Sequence, residues 1–114
     1  MRAYLRASMA ALALGAFLVA SVALAGRPNP NHGKSVYKST CKLCHGKGTE
    51  AKELTPLSKT QAQWQRVFTK GLGDCLKRVE TKTGKKLTEA DLADMQAFLV
   101  THAADSDQPE TCGE

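Results

Sequence analysis

The sequence predicts a small all-α domain of about four short helices behind an export signal. Three observations predict it. Apolar residues recur at helical spacing along most of residues 30–102, and no segment shows the strict alternation of a half-buried strand. Ser, Thr and Gly stand where helix starts and stops are needed. Removing residues 1–25 leaves 89, a length that buries a thin core and generally needs a staple or a cofactor.

The elements follow in order. Arg2 and Arg6 precede an apolar stretch at residues 9–20, and Ala23-Leu24-Ala25 offers small residues for cleavage after Ala25. This is the layout of a secretory signal peptide, and the alternative of an uncleaved anchor is weakened by Ser8 and Ser21. A domain over 26–105 and an acidic tail over 106–114 are expected after it. Arg27 to Asn31, with Pro28 and Pro30, reads as an extended entry. Gly33, Tyr37, Cys41 and Cys44 then share one helix face. Gly46 and Gly48 let the chain turn, and residues 49–59 form a loop taking Leu54, Pro56 and Leu57 towards the core. Thr60 and Gln63 resemble a capping box for a helix with Trp64, Val67 and Phe68 inward, closed by Gly71. Leu72, Cys75, Leu76 and Val79 continue the spacing before a lysine-rich turn at 80–86. Thr88 and Asp91 cap a last helix with the stripe Leu92, Met95, Phe98 and Leu99, and a loose tail follows.

The chemistry sits in Cys41-Lys42-Leu43-Cys44-His45. Two thiols three positions apart can add to the two vinyl groups of one haem, and the adjoining histidine can ligate its iron. A zinc site would want a second Cys-x-x-Cys or a His pair, which Cys75 and Cys112 do not make by spacing. A thioredoxin-like redox motif would need a βαβ setting. A chance occurrence on a disulfide scaffold is the remaining alternative. One haem c is the expected cofactor, because there is no second copy of the motif.

Cys75 and Cys112 remain, and in an oxidising compartment their simplest fate is a disulfide. Closing that 38-residue loop would contribute about 3–4 kcal/mol on the chain-entropy model. Charge is polarised: residues 27–86 hold 14 Lys/Arg and 4 Asp/Glu, whereas residues 87–114 hold 7 Asp/Glu and no Lys or Arg. Lys38, Lys42 and Lys47 around the motif suggest a basic rim that would steer an acidic redox partner. Solvated lysines without a docking role are the alternative. Nucleic acid is not an expected partner of an exported chain with no aromatic–basic interleaving. No membrane association is expected once the signal is cleaved, and oligomeric state is left open.

Residues 33–46, from Gly33 through Tyr37 to Cys41, Cys44, His45 and Gly46, resemble the first helix and haem motif of class I c-type cytochromes. Leu92 to Leu99 is similar to their final helix. The resemblance implies an all-helical cytochrome c fold around one covalent haem. Gly33 would permit a close crossing of the first and last helices, with Tyr37 and Phe98 beside it. His45 would be the proximal iron ligand, and Pro56 would orient it through its backbone carbonyl.

The chain departs from that pattern on the distal side. The family's usual sixth ligand is a methionine before the last helix, and residues 46–94 contain none. Met95 sits on the apolar stripe of the last helix, where core filling is the ordinary role of methionine. His32 and His102 fall away from the expected distal position. Lys77, Lys82, Lys85 and Cys75 lie in the right segment, and an open iron is a further possibility, so the distal ligand stays unassigned. The expected function is single-electron transfer in the bacterial periplasm, by a carrier that is not an enzyme. Small-ligand binding or peroxidase-like activity at an open iron is one alternative, and a subunit of a respiratory complex is the other.

Overall fold

A computed structural model describes residues 26–49 and 51–111. The expected signal peptide and Cys112 lie outside the described residues. Among the described residues five α-helical segments follow one another: α1 (Pro30–Ser39), α2 (Lys42–His45), α3 (Gln61–Lys70), α4 (Gly73–Thr83) and α5 (Glu89–Thr101). A 3₁₀ turn, Pro56–Ser58, sits between α2 and α3. Among the described residues there is no strand, and no helix is long and apolar enough to cross a membrane. The all-helical expectation is met.

Helix α1 begins earlier than the proline pair suggests. Asn29 is its N-cap, its side chain accepting the N–H groups of Asn31 and His32 at 3.0 and 3.3 Å. Pro30 occupies the first turn, where a missing N–H costs nothing. The apolar run over 33–44 is not one helix. At Thr40 the backbone leaves helical geometry (φ −127°, ψ −78°). The buried Thr40 hydroxyl donates to the Val36 carbonyl at 2.6 Å. A new short turn, α2, then starts from Cys41.

The later helices have the expected caps. Thr60 and Gln63 exchange bonds of 2.9 and 3.2 Å at the start of α3, and Thr88 and Asp91 do so at 3.0 and 3.1 Å for α5. Gly71 ends α3 at φ +91°. Helix α4 runs on to Thr83, through most of the expected turn, until Gly84 stops it in the left-handed region (φ +68°).

The core lies where α1 crosses α5, with α3 laid against the other flank of α5. Val36, Tyr37, Trp64, Met95, Phe98, Leu99 and Ala103 form one buried cluster. A Cβ at Gly33 would lie 1.9 Å from the Asp94 carbonyl oxygen, so only glycine lets the two backbones approach this closely. The crossing is also bonded at its rim. Asn29 N–H donates to Asp94 Oδ1 at 2.8 Å, and His32 Nδ1 lies 2.7 Å from Asp94 Oδ2. Among the described residues α4 makes no close backbone contact with another helix.

Two expectations about the periphery are corrected. Leu57 points outward, 40% exposed, because the tight 3₁₀ turn buries Pro56 and rotates its neighbour away. The acidic tail, expected to be loose, is bonded back as far as Glu110. Ala104 N–H donates to the Lys59 carbonyl at 3.1 Å and Glu110 N–H to the His102 carbonyl at 3.2 Å. Gln61 N–H donates to Asp105 Oδ1 at 2.8 Å, and Glu110 pairs with Lys34.

Candidate functional site

Helix α2 is a single turn, and that is what its chemistry needs. Cys44 N–H and His45 N–H both return to the Cys41 carbonyl, at 3.2 and 2.9 Å. Residues three apart on such a turn face one side. Both cysteines are half-buried thiols, not joined to each other, while the intervening Leu43 is 46% exposed. Cys41 Sγ packs 3.6 Å from Met95 Sδ and 3.7 Å from Thr40 Oγ1. Burial pushes the Cys41 thiol up from its ordinary value, against the opposing effect of the Thr40 contact. The Cys75 and Cys44 thiols add to the rise electrostatically.

His45 is oriented by the loop that follows it. Its Nδ1 lies 2.8 Å from the Lys52 carbonyl oxygen. A carbonyl only accepts, so Nδ1 carries the proton and Nε2 keeps a free lone pair. That is the tautomer an iron ligand needs. The loop is folded for the purpose. Gly46 is buried, with a Cβ there meeting the Lys42 carbonyl oxygen at 2.6 Å. Ala51 N–H donates to the Cys44 carbonyl at 3.0 Å, and Leu54 N–H donates to the His45 carbonyl at 2.9 Å.

The structure differs from the expectation for Pro56. Its carbonyl accepts the indole N–H of Trp64 at 2.9 Å, and the bond to His45 comes from Lys52 instead. The loop doubles back directly after His45, so a carbonyl seven residues on reaches the ring first. Trp64 is 3% exposed and its buried N–H requires an acceptor, which Pro56 supplies. Sequence reasoning also missed Tyr37 here: its hydroxyl donates to the Leu54 carbonyl at 2.5 Å. The available signal was a pair of aromatic residues with polar handles on otherwise apolar helix faces.

The distal candidates separate by position. Met95 is 1% exposed within the core. Lys77, Lys82 and Lys85 are exposed on or just after α4. Cys75 is exposed at the start of α4. His102 Nδ1 is held by the Gln108 carbonyl at 2.7 Å, and its ring packs on Phe98 at 5.4 Å between centroids. The structure thus sets Cys41 against Met95, carries Cys44 and His45 on the same turn, and leaves Cys75 and the lysines exposed. A cavity of about 340 Å³ is lined by Phe68, Leu72, Leu76 and Leu92, between the α3–α4 junction and α5.

The donor set fits a covalent haem. It offers two thiols on one turn, a histidine with Nε2 free, and apolar side chains from α3, α4 and α5 nearby. Among the described residues no three His, Cys, Asp or Glu side chains converge into a cage for a metal ion. The family model described as cytochrome c oxidase, cbb3-type, subunit III matches residues 28–99. No curated protein and no solved structure gives a match. The cofactor is therefore covalent haem c with its iron. The match spans well over half of the chain and contains the haem-binding turn, the crossing glycine and the final helix stripe; the chain belongs to that family of c-type cytochromes.

Proposed function

We propose that the protein is an exported single-haem electron carrier of the bacterial periplasm. The observation that carries this is the α2 turn, with Cys41 and Cys44 as the thioether positions and His45 fixed as the Nε2-donating tautomer. Bound haem supplies the one-electron iron couple; the residues hold it and set its properties. Burial of Met95, Phe98 and Leu99 beside Cys41 keeps water from that side. The signal peptide over 1–25, the domain over 26–105 and the tail over 106–114 belong to the same proposal, as does a Cys75–Cys112 disulfide.

Partners would dock where the haem turn reaches the surface. Leu43 is the most exposed large apolar side chain described, and Lys38 and Lys47, close to it in the sequence, are exposed. An apolar spot within a basic rim suits brief contact with an acidic redox protein. A second reading is a subunit of a respiratory complex, favoured by the name of the matching family.

The visible spectrum of the matured protein, ferric and then reduced, before and after carbon monoxide, tests the proposal. A low-spin spectrum indifferent to carbon monoxide is expected, with Met95→Leu and the Lys77 and Lys82 variants then identifying the distal ligand. A carbon-monoxide-sensitive spectrum would overturn the closed-iron carrier and favour ligand binding or peroxidase-like chemistry. Co-purification with oxidase subunits would favour the second reading.

A further inference from the structure

We propose that Tyr37 and Trp64 are positioning residues for the iron ligand His45, acting through the peptide of Lys52; this rests on the haem reading above. A histidine bound to iron is tuned by what its other ring nitrogen donates to. Here that acceptor is a backbone carbonyl on an exposed residue, in a stretch with no regular structure. Such a carbonyl can hold a ring only if its own peptide is held.

Four hydrogen bonds, made by Ala51, Leu54 and Pro56, flank it on both sides. On the near side, Ala51 N–H and Leu54 N–H return to the Cys44 and His45 carbonyls, straddling Lys52. Those ties alone move with the haem turn and do not anchor it. On the far side, the Tyr37 hydroxyl holds the Leu54 carbonyl at 2.5 Å and the Trp64 indole holds the Pro56 carbonyl at 2.9 Å. Tyr37 and Trp64 are 2% and 3% exposed and root in the core from α1 and α3, with Tyr37 6.1 Å from Phe98 between ring centroids. The packed helix crossing is thereby connected to the one peptide that aligns the ring.

Packing does not explain these side chains. Phenylalanine would fill the Tyr37 site almost as well, and only the hydroxyl reaches Leu54. The effect on the iron has a definite sign. An Nδ1–H bond to a well-held carbonyl shifts electron density towards Nε2, strengthening the ligand and favouring the ferric state. Loosening the carbonyl weakens that donation and raises the reduction potential.

The test uses full-length protein matured with haem, as wild type, Tyr37→Phe, Trp64→Phe and the control Asp94→Asn. Asp94→Asn loosens the rim of the helix crossing without touching a loop bond. Haem per chain is measured first: wild type without covalent haem would sink the underlying haem reading, separately from this inference. With haem in place, Tyr37→Phe and Trp64→Phe should each raise the potential. Solvent exchange of the His45 Nδ1 proton should quicken by about tenfold, as expected for a locally opened loop. Asp94→Asn should lower the melting temperature and leave both readouts unchanged. The proposal is overturned if the loop variants lower stability yet keep the wild-type potential and exchange rate, or if Asp94→Asn shifts both equally.

Discussion

At the scale of single residues, this protein depends on a few positions where one atom decides the outcome. Gly33 is one: an added Cβ would fall inside the Asp94 carbonyl, so Gly33→Ala must push α1 off α5. A loss of about 1–3 kcal/mol is expected, as for other overpacked contacts, and a urea melt measures it. Asp94 is another. The Asn29 backbone N–H, then His32, hold its carboxyl below the usual carboxylate value. A depressed folded-state value means stability that is present above the unfolded value and lost as pH falls through the folded one. Asp94→Asn should therefore cost stability at neutral pH, and the gap to wild type should close as pH drops below the ordinary carboxylate range; paired melts across that range would show it. At the haem turn, Cys41→Ala or Cys44→Ala should impair covalent haem retention, and His45→Ala should perturb the iron's spectrum. Normal haem content and spectra in all three would refute the site. The residue types of this site were legible from spacing alone, since Cys-x-x-Cys-His states its own chemistry. The partner of His45 was not, because a backbone carbonyl carries no side-chain signature and any loop residue can provide one.

At the scale of elements, the helices differ in what holds them. α1 and α5 are interlocked by Gly33, the Tyr37–Phe98 contact and the Asn29–Asp94 bond. α4 has no close helix neighbour among the described residues and buries little beyond Val79. Native-state hydrogen exchange should find α4 amides opening well before those of α1 and α5. Equal protection would mean that the haem and the proposed Cys75–Cys112 disulfide bind α4 as firmly as the crossing binds its partners. Mass spectrometry finding two alkylatable thiols without reduction would remove that disulfide. The segment after α5 is the opposite case. Its sequence is polar and acidic, which reads as a loose tail, yet His102, Asp105 and Glu110 fold it back onto α1, α3 and α5. With the proposed Cys75–Cys112 link reduced, deleting residues 106–114 should cost about 1–2 kcal/mol, the worth of one or two net hydrogen bonds, seen as a lower melting temperature. Caps and stripes were readable because they are local patterns of three or four residues. The tail's docking was not, because it depends on the Lys59 carbonyl, the Gln61 N–H and Lys34, which only the packed helices bring near; nor was the break at Thr40, whose bond to the Val36 carbonyl leaves the apolar spacing unchanged.

At the scale of the whole molecule, charge and topology work together. The basic stretch from Arg27 to Lys86 contains the haem turn, and the acidic stretch after it lies on α5 and the returning tail. Association with an acidic redox protein should slow steeply with added salt, and stopped-flow rates between low and physiological ionic strength would measure it. A flat salt response would show that the lysines around Leu43 only solvate the surface. The sequence by itself determined the helical class, the family and the covalent haem. Helical periodicity, capping pairs and a three-residue haem motif are all short-range codes, written in neighbouring positions. Only the tertiary structure decided that Lys52 rather than Pro56 holds His45, that Met95 packs against Cys41, and that the acidic tail is tied to the helices. The Met95 contact and the tail's ties join atoms far apart in the chain that meet only once the helices pack, and the Lys52 bond depends on how the loop after His45 doubles back; no side-chain pattern encodes where such a carbonyl will stand.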